Sequence, residues 1–340
     1  MSGEETVLVT GGSGFIGGWC VIGLLQQGYT VRTTVRSLSR EAAVREALGK
    51  VIDPGRRLSF RAADLTSDEG WEEAVGGCDY VLHVASPLGV AEPKDPHELI
   101  IPAREGAKRT VGAAIKAGVR RVVLTSSVAA TSPGVRGDSL ADEVVWTDLS
   151  KPGVSAYAQS KTLAERAAWD LIGASGGATT MATVNPAVVV GPVLSRDFAD
   201  SVRVIERLLT GRVPGLPRLG FNFVDVRDVA DLHIRAMTAP EAAGERFIAA
   251  GAFAWMADVA ALLRGRLGEA GVKVPTRKAP DFVIRLAGLF DRELASVIPN
   301  LGHKHDYTSA KAQTRLGWKP RPLEDTVLDC ARSLIAAGVV

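Results

Sequence analysis

The sequence predicts an α/β fold in which a doubly wound parallel sheet carries a smaller, mostly helical C-terminal lobe. Short apolar, β-branched runs alternate with helical patterns through the first two-thirds of the 340 residues. Gly28 and Gly118 each stand between a helical pattern and a strand, where helices commonly end on glycine. After about Pro186 the alternation stops, and proline and glycine cluster. Such alternation implies right-handed crossovers and a parallel sheet with helices on both faces.

The predicted elements follow this alternation in chain order. Strands are predicted at residues 7–10, 30–35, 58–62, 80–84, 122–125 and 182–185, and helices at 16–27, 40–48, 69–75, 98–117 and 155–172. Farther on, the sequence predicts helices at 226–237, 256–267, 282–294 and 323–337 and a strand at 246–250. We therefore expect a first lobe of residues 1–186, to which the chain returns at about 221–250, and a second lobe of residues 187–340.

Composition and charge argue against several classes of protein. The formal net charge is +2 without long basic runs, so we expect neither nucleic acid nor a membrane as a partner. Cys20, Cys78 and Cys330 fit neither a disulfide framework nor a metal-ligand spacing. No apolar run reaches the roughly 18 residues of a membrane span, and residues 1–5, MSGEE, lack a secretory pattern. We expect a cytoplasmic monomer or homodimer without a metal site.

A glycine-rich turn, TGGSGFIG at residues 10–17, joins the first strand to the first helix. Gly11 suits a tight turn, Gly14 the close approach of a pyrophosphate, and Gly17 the packing of helix against strand. Phosphates would then lie at the helix N-terminus, where free N–H groups favour negative charge. Such turns also join ordinary strands and helices, but the position after the first strand favours a dinucleotide site. The expected cofactor contacts are Gly11, Gly14, Phe15, Ile16 and Gly17.

Two arginines follow the second strand, and they indicate which dinucleotide binds. An NAD site usually places an acid about 20 residues beyond the glycine turn, but Arg36 stands there and Arg40 follows one helical turn later. Their guanidinium groups match the 2′-phosphate of NADP(H); the alternative is two solvated surface arginines. At the end of the third strand, Asp64, followed by Leu65, either accepts from the adenine amino group or caps the next helix.

Tyr157 and Lys161 lie four residues apart in a helical pattern, so they share one face of the helix. A nearby ammonium and a cationic nicotinamide would lower the pKa of the phenol from its usual value near 10. Tyr157 would then protonate a carbonyl oxygen as hydride arrives. The same spacing also occurs by chance on surface helices.

Ser127 closes the strand at 122–125, at the sheet edge where ligands bind in open α/β folds. Its hydroxyl suits a hydrogen bond to the substrate oxygen. Ser126 is the alternative, and because side chains alternate along a strand, one of the two should face the site. Serines that form a turn after a strand are also common.

The glycine turn, Ser127 and the Tyr157–Lys161 pair together resemble the extended short-chain dehydrogenase/reductase family. The resemblance covers nearly the whole chain. Further segments resemble its dihydroflavonol reductase, cinnamoyl-CoA reductase and microbial aldehyde/ketone reductase branch: HVASP at 83–87, Pro102-Ala103 with Gly106, SKTLAE at 160–165, NP at 185–186, GP at 191–192 and FVDVRDVA at 223–230.

This resemblance implies a Rossmann-type fold, NADPH and carbonyl reduction. It assigns Ser127 to positioning the substrate oxygen, Tyr157 to proton donation, and Lys161 to lowering the tyrosine pKa and binding the nicotinamide ribose. The further cofactor contacts that it implies are Val84, Ala85, Ser86, Pro186, Val188 and Val189.

The sequence departs from the family pattern at three places. Ala103 stands where many members carry a structural Asn, which leaves the proton relay behind Lys161 open. Ser132 replaces the Asn that contacts the flavonoid ring in plant dihydroflavonol reductases, and VSAY at 154–157 replaces the Trp-Tyr-Cys-Tyr of cinnamoyl-CoA reductases. Neither plant substrate is therefore favoured.

We expect an NADPH-dependent reductase acting on a broad range of aldehydes or ketones, with the second lobe covering the substrate. The alternatives are an NAD-dependent sugar-nucleotide epimerase or dehydratase, against which Arg36 and Arg40 argue, and a non-enzymatic NADP-binding sensor, which needs no catalytic trio. The residues expected to line the substrate site are Pro87, Leu88, Ser132, Phe198 and Phe221.

Overall fold

A computed structural model describes residues 5–87, 93, 95–135, 137–213, 215–289 and 298–340. The strands are β1 Thr6–Thr10, β2 Thr30–Val35, β3 Leu58–Ala62, β4 Tyr80–His83, β5 Arg121–Thr125, β6 Ser139–Ala141, β7 Thr180–Pro186, β8 Val188–Val190, β9 Gly220–Asp225, β10 Glu245–Ala249, β11 Phe253–Trp255 and β12 His305–Tyr307. The helices, numbered in chain order, are α1 Phe15–Gln26, α2 Glu41–Gly49, α3 Trp71–Val75, α4 His97–Lys116, α5 Ala156–Ala174, α6 Asp200–Leu209, α7 Val226–Thr238, α8 Met256–Arg266, α9 Asp281–Ala287, α10 Ala310–Leu316 and α11 Leu323–Ala336.

The main sheet has seven parallel strands in the order β10-β7-β5-β4-β1-β2-β3. The order reverses between β1 and β4, so this is the doubly wound arrangement, and ligands in such sheets bind at the carboxyl ends of the strands beside the reversal. The glycine turn follows β1 and the segment HVASP begins at the end of β4. The predicted fold class is confirmed, and both segments lie at the reversal.

Alternating residues of β1 show how both faces of the sheet are buried. Val7 and Val9 join one apolar cluster with residues of α1 and α7, whereas Leu8 joins a second cluster with residues of α3, α4 and α5. A strand covered on both sides reads as a continuous apolar run, as β1 does. The sheet, buried on both faces, therefore holds the side chains at its carboxyl edge in place.

The later part of the chain builds a three-stranded sheet, β11-β9-β8, with an apolar core to which α6, α8 and α11 contribute. Between β9 and β11 the chain returns to the main sheet. α7 packs against α1, and β10 pairs in parallel with β7 at the sheet edge. The division of the chain into lobes at residue 186 stays a prediction.

The predicted strands and helices of the first 186 residues agree with the structure, apart from shifts of one or two residues at their ends. The helix predicted at 282–294 begins at Asp281 and ends at Ala287, and residues 290–297 lie outside the described residues. Sequence reasoning missed β6, β8, β9, β11 and β12 and helices α6 and α10. Most of these strands span three residues, too few for an alternating pattern to emerge.

Candidate active site

The glycine turn presents bare backbone at the start of α1. Gly11 has φ +69°, a conformation that residues with a Cβ rarely adopt. Gly14 caps α1 without a side-chain hydrogen bond, so no cap side chain occupies the first N–H groups of the helix, at Phe15 and Ile16. A Cβ on Gly17 would lie 2.2 Å from the Gly11 carbonyl oxygen. The turn has the shape expected of a phosphate cradle.

Thr10 joins this turn to the segment after β4. Its buried Oγ1 accepts hydrogen bonds from the backbone N–H groups of Val84 and Ala85, each at 3.0 Å. The same oxygen lies 2.9 Å from His83 Nδ1, and since it already accepts twice, it donates its own proton to that nitrogen. Burial lowers the pKa of His83 to about 3, so its ring is neutral at working pH. Residues 84–86 are thereby held against the glycine turn.

Arg40 shares a cleft of about 200 Å³ with Gly12, Ser13, Gly14 and Phe15 of the glycine turn. Its guanidinium pairs with Asp197 across the cleft, with Nη2 3.1 Å from Oδ2, and both side chains are substantially exposed. Arg36 is exposed just after β2. Arg40 therefore borders the cleft beside the glycine turn, whereas the role of Arg36 stays a prediction.

Asp64 follows β3 and forms a local turn. Its Oδ1 accepts from the backbone N–H of Thr66 at 2.8 Å and from the Thr66 hydroxyl at 2.6 Å. These bonds, helped by the charge of Arg36, hold the pKa of Asp64 below its usual value. The next helix begins at Trp71 with Gly70 as its cap, so the prediction that Asp64 caps a helix is wrong. Leu65 packs beside it, against Gly106 of α4.

The side chains of Ser127 and Tyr157 lie close together, and hydrogen bonding from Ser127 acts to lower the pKa of the phenol. Ser127 starts the 3₁₀ turn that follows β5, and its Oγ also accepts from the Ala129 N–H at 3.1 Å. Ser126 points elsewhere, because its hydroxyl donates to Glu165 at 2.5 Å. Because side chains alternate along the strand, Ser127 rather than Ser126 faces the tyrosine.

Lys161 lies one turn after Tyr157 on α5, with its Nζ 5.9 Å from the centre of the tyrosine ring. The Nζ donates to Ser86 Oγ at 3.0 Å. Burial lowers the pKa of Lys161 to about 8, although the nearby carboxylate of Glu165 acts in the opposite direction. The ammonium is therefore close to its titration range at neutral pH.

The pKa of Tyr157 moves opposite to the sequence expectation. Burial raises it, and the hydrogen bond with Ser127 only partly counters that effect. The residues of this chain therefore keep the phenol protonated. The expected lowering would have to come from the charge of a bound nicotinamide.

The remaining predicted residues are spread over several parts of the structure. Pro186 ends β7, and Val188 and Val189 form most of β8. Pro87 lines a small cavity next to Lys161, whereas Phe198 lines the cleft of the glycine turn. Phe221 stands on β9, edge-on to Phe223, Ser132 follows the turn of Ser127, and Leu88 lies outside the described residues.

Sequence reasoning missed one polar neighbour of the trio, Glu165, and one polar neighbour of Ser132, Tyr307. Glu165, four residues after Lys161, is fully buried and ion-paired with Arg246. Its spacing of four residues from Lys161 was the signal in the sequence, because such residues share one helix face. Burial raises the pKa of Tyr307, and hydrogen bonding from the nearby Ser132 acts in the opposite direction. Tyr307 comes from β12, 175 residues after Ser132, so no local pattern links them.

Across the described ranges, no group of three or more His, Cys, Asp or Glu side chains is arranged to hold a metal ion. In the same ranges no helix combines the length and apolarity required to cross a membrane. Cys20, Cys78 and Cys330 are free and buried.

The sequence profile of the NAD dependent epimerase/dehydratase family matches residues 7–250. The chain belongs to this family. Among curated members, it is 37% identical over 265 residues to cinnamoyl-CoA reductase 1 of Petunia hybrida, covering 76% of each chain. It is 36% identical over 277 residues to dihydroflavonol 4-reductase of Zea mays, covering 79% of this chain and 76% of that one. The extended short-chain dehydrogenase/reductase assignment is thereby confirmed.

A solved structure is similar over the whole chain. Yeast methylglyoxal/isovaleraldehyde reductase Gre2, complexed with NADPH, superposes with a TM-score of 0.80 at 27% identity. The superposition covers 99% of this chain and 100% of that one.

Proposed function

We propose that this protein is an NADPH-dependent reductase that converts an aldehyde or ketone carbonyl into an alcohol. The observation that carries the proposal is the grouping of three residues: Lys161 Nζ lies 5.9 Å from the centre of the Tyr157 ring, and Ser127 acts on the pKa of the same phenol. These three groups meet at the carboxyl edge of the sheet, beside the glycine turn. The similarity to plant reductases and to the NADPH-bound Gre2 reductase supports the same reaction type.

The residues of the chain fit NADP(H). The uncapped N-terminus of α1 suits the pyrophosphate, and Arg36 and Arg40 suit the 2′-phosphate. Val84, Ala85 and Ser86 would line the cofactor, as would Leu65 beside the adenine. Pro186, Val188 and Val189 would flank the nicotinamide, and Lys161 would bind its ribose.

When bound, NADPH supplies the hydride that goes to the carbonyl carbon. Ser127 holds the carbonyl oxygen through its hydroxyl as negative charge develops there. Tyr157 donates its phenolic proton to that oxygen, so that C=O becomes CH–OH. The proton that Tyr157 loses is regained through Lys161 and solvent.

The ionisation of these groups suits reduction. A phenol whose pKa is raised by burial carries its proton at neutral pH and is ready to donate it. The Lys161 ammonium, with a pKa of about 8, is mostly charged at pH 7 and stabilises the tyrosinate formed in the step.

The test is a screen of aromatic, aliphatic, α-keto ester and steroid carbonyls. The reaction is monitored as the oxidation of NADPH, and the products are examined by chiral analysis. We expect one alcohol formed for each NADPH consumed. An epimerase or dehydratase would return the hydride and consume no NADPH. A sensor would bind NADPH without turning over any carbonyl in the panel. Either result would contradict the proposal.

A further inference from the structure

Glu165 is a fully buried carboxylate on the same face of α5 as the reactive residues. It stands four residues after Lys161 and eight after Tyr157, spacings that share one helix face. Both Glu165 and Lys161 line one small cavity, to which Ser86, Ser126 and four alanines, Ala85, Ala103, Ala107 and Ala164, also contribute. The carboxylate and the ammonium also interact electrostatically, because the charge of Glu165 acts to raise the pKa of Lys161.

Donors from three strands converge on this carboxylate. Ser126, just after β5, donates to Oε2 at 2.5 Å, and Asn185 of β7 donates to the same oxygen at 3.0 Å. Arg246 of β10 donates through Nε to Oε1 at 2.6 Å. One side chain of α5 thus fixes the helix to the carboxyl ends of β5 and β7 and to β10.

The same donors also hold the backbone around Ser127. Asn185 Nδ2 donates to the Ser127 carbonyl oxygen at 3.2 Å. Arg246 Nη2 donates to the Ala130 carbonyl oxygen at 3.4 Å, at the end of the 3₁₀ turn that Ser127 starts. Glu165 is therefore linked to both Tyr157 and Ser127, to the tyrosine through helix α5 and to the serine through the donors that hold its turn.

Stability alone is a weak reason for such a group. Removing a carboxylate and a guanidinium from water costs several kcal/mol per ion, and apolar replacements of buried ion pairs are often neutral or stabilising. Arg246 is further covered by the Trp146 ring, 3.8 Å from its guanidinium carbon. Such a network is therefore expected to add little to folding stability, yet it holds the helix of Tyr157 and the turn of Ser127.

We propose that Glu165 is a positioning residue of the reductase site. Its carboxylate sets the distance between Ser127 and Tyr157 through Ser126, Asn185 and Arg246, and its negative charge faces the Lys161 ammonium. The inference rests on the proposed reductase function. Among the described residues, the other ionisable groups near Lys161 are Tyr157 on α5 and His83 at the end of β4, which is neutral. Arg246 is paired with Glu165.

The first test replaces the charge with a neutral side chain of the same shape, Glu165→Gln. We expect kcat to fall on the order of ten- to a hundredfold because the reacting groups lose their alignment. The dissociation constant of NADPH, followed by fluorescence, should not change, and the alkaline limb of the kcat profile should move to lower pH. Asp225→Asn is the matched control, since Asp225 is also a buried carboxylate paired with an arginine, Arg227.

Two further variants separate positioning from stability. In Glu165→Gln/Arg246→Met no buried charge is left unpaired, so Tm should rise above that of Glu165→Gln while kcat stays low. Ser126→Ala removes a single hydroxyl, so it should fold and lower kcat without changing NADPH binding. A double variant with wild-type kcat and pH profile would overturn the inference, as would an unchanged kcat in Ser126→Ala.

A titration without turnover separates this inference from the proposed function. The pKa of Lys161, measured by NMR on protein with ¹³C-labelled lysine, should fall in Glu165→Gln and stay unchanged in Asp225→Asn. If the wild-type protein reduces no carbonyl, the proposed function fails while the titration still tests the link between Glu165 and Lys161. An unchanged Lys161 pKa in Glu165→Gln would show that this link does not exist.

Discussion

The Lys161 ammonium donates a hydrogen bond to Ser86 Oγ at 3.0 Å, which ties the helix of Tyr157 to the segment after β4. Ser86 is itself held in place, because Thr10 bonds the two preceding backbone N–H groups. The glycine turn, the segment after β4 and helix α5 are therefore coupled through two hydroxyl side chains. A change at either hydroxyl should alter the chemistry at Tyr157.

The pH profile should report Lys161. Burial lowers its pKa from the usual 10.5 to about 8, so the ammonium is present below that pH and is lost above it. We expect kcat/KM to fall as pH rises through about 8. Ser86→Ala removes an acceptor that stabilises the charged form, and should move this limb to lower pH. Ser175→Ala, at the far end of α5, serves as the control; an alkaline limb near pH 10.5 would contradict the assignment.

Tyr157→Phe should remove the proton donor and leave the cofactor site unchanged. General acid catalysis contributes about 10²–10⁴-fold, so kcat/KM for carbonyl reduction should fall by at least about a hundredfold. NADPH affinity should remain at the wild-type value. Tyr29→Phe, at a buried tyrosine outside the site, controls for the loss of a hydroxyl. Reduction at near wild-type rate by a folded Tyr157→Phe variant would refute the proposed mechanism.

Arg36→Asp should reverse the cofactor preference. The substitution replaces a cation suited to the 2′-phosphate with an acid suited to a ribose hydroxyl. We expect KM for NADPH to rise about tenfold or more, the loss typical of one charge-assisted hydrogen bond, while KM for NADH falls. Steady-state kinetics with both cofactors provides the measurement. Arg56→Asp is a surface control with the same change of charge, and an equal response of the two variants would argue against the assignment.

Asp197→Ala should have the opposite effect at the same cleft. Asp197 pairs with Arg40 at 3.1 Å, and the pair is well exposed, so its own contribution to stability is small. Without the carboxylate, Arg40 has no competing partner there when a 2′-phosphate binds. The substitution should lower KM for NADPH a few-fold at low salt and by a smaller factor at high salt, whereas KM for NADH should not change. A rise in KM for NADPH would show that Asp197 assists binding.

Local patterns were sufficient to predict the strands of the main sheet and the helices between them in the first 186 residues, because buried parallel strands and their helices leave apolar runs. They also located the glycine turn and the Tyr157–Lys161 spacing, which depend on near neighbours in sequence. The Glu165–Arg246 pair and the Ser132–Tyr307 contact join residues 81 and 175 positions apart. Such contacts depend on how strands pair and on how the chain returns, and a single sequence carries no direct record of either.

The pKa of Tyr157 shows a second limit. Sequence spacing gives the distance to Lys161 along the helix, but the degree of burial depends on everything packed around it. Burial proved the larger effect.

Trp318 lies in the same apolar cluster as Val9 and Leu24, fully buried, with its indole N–H bonded to the Asp228 carbonyl oxygen at 2.8 Å. The core around β1 is therefore completed by a residue more than 300 positions later in the chain. During synthesis, that core cannot close until the ribosome has released α7, β10 and, after them, this tryptophan. The nascent chain should expose apolar surface until then and depend on chaperones to avoid aggregation.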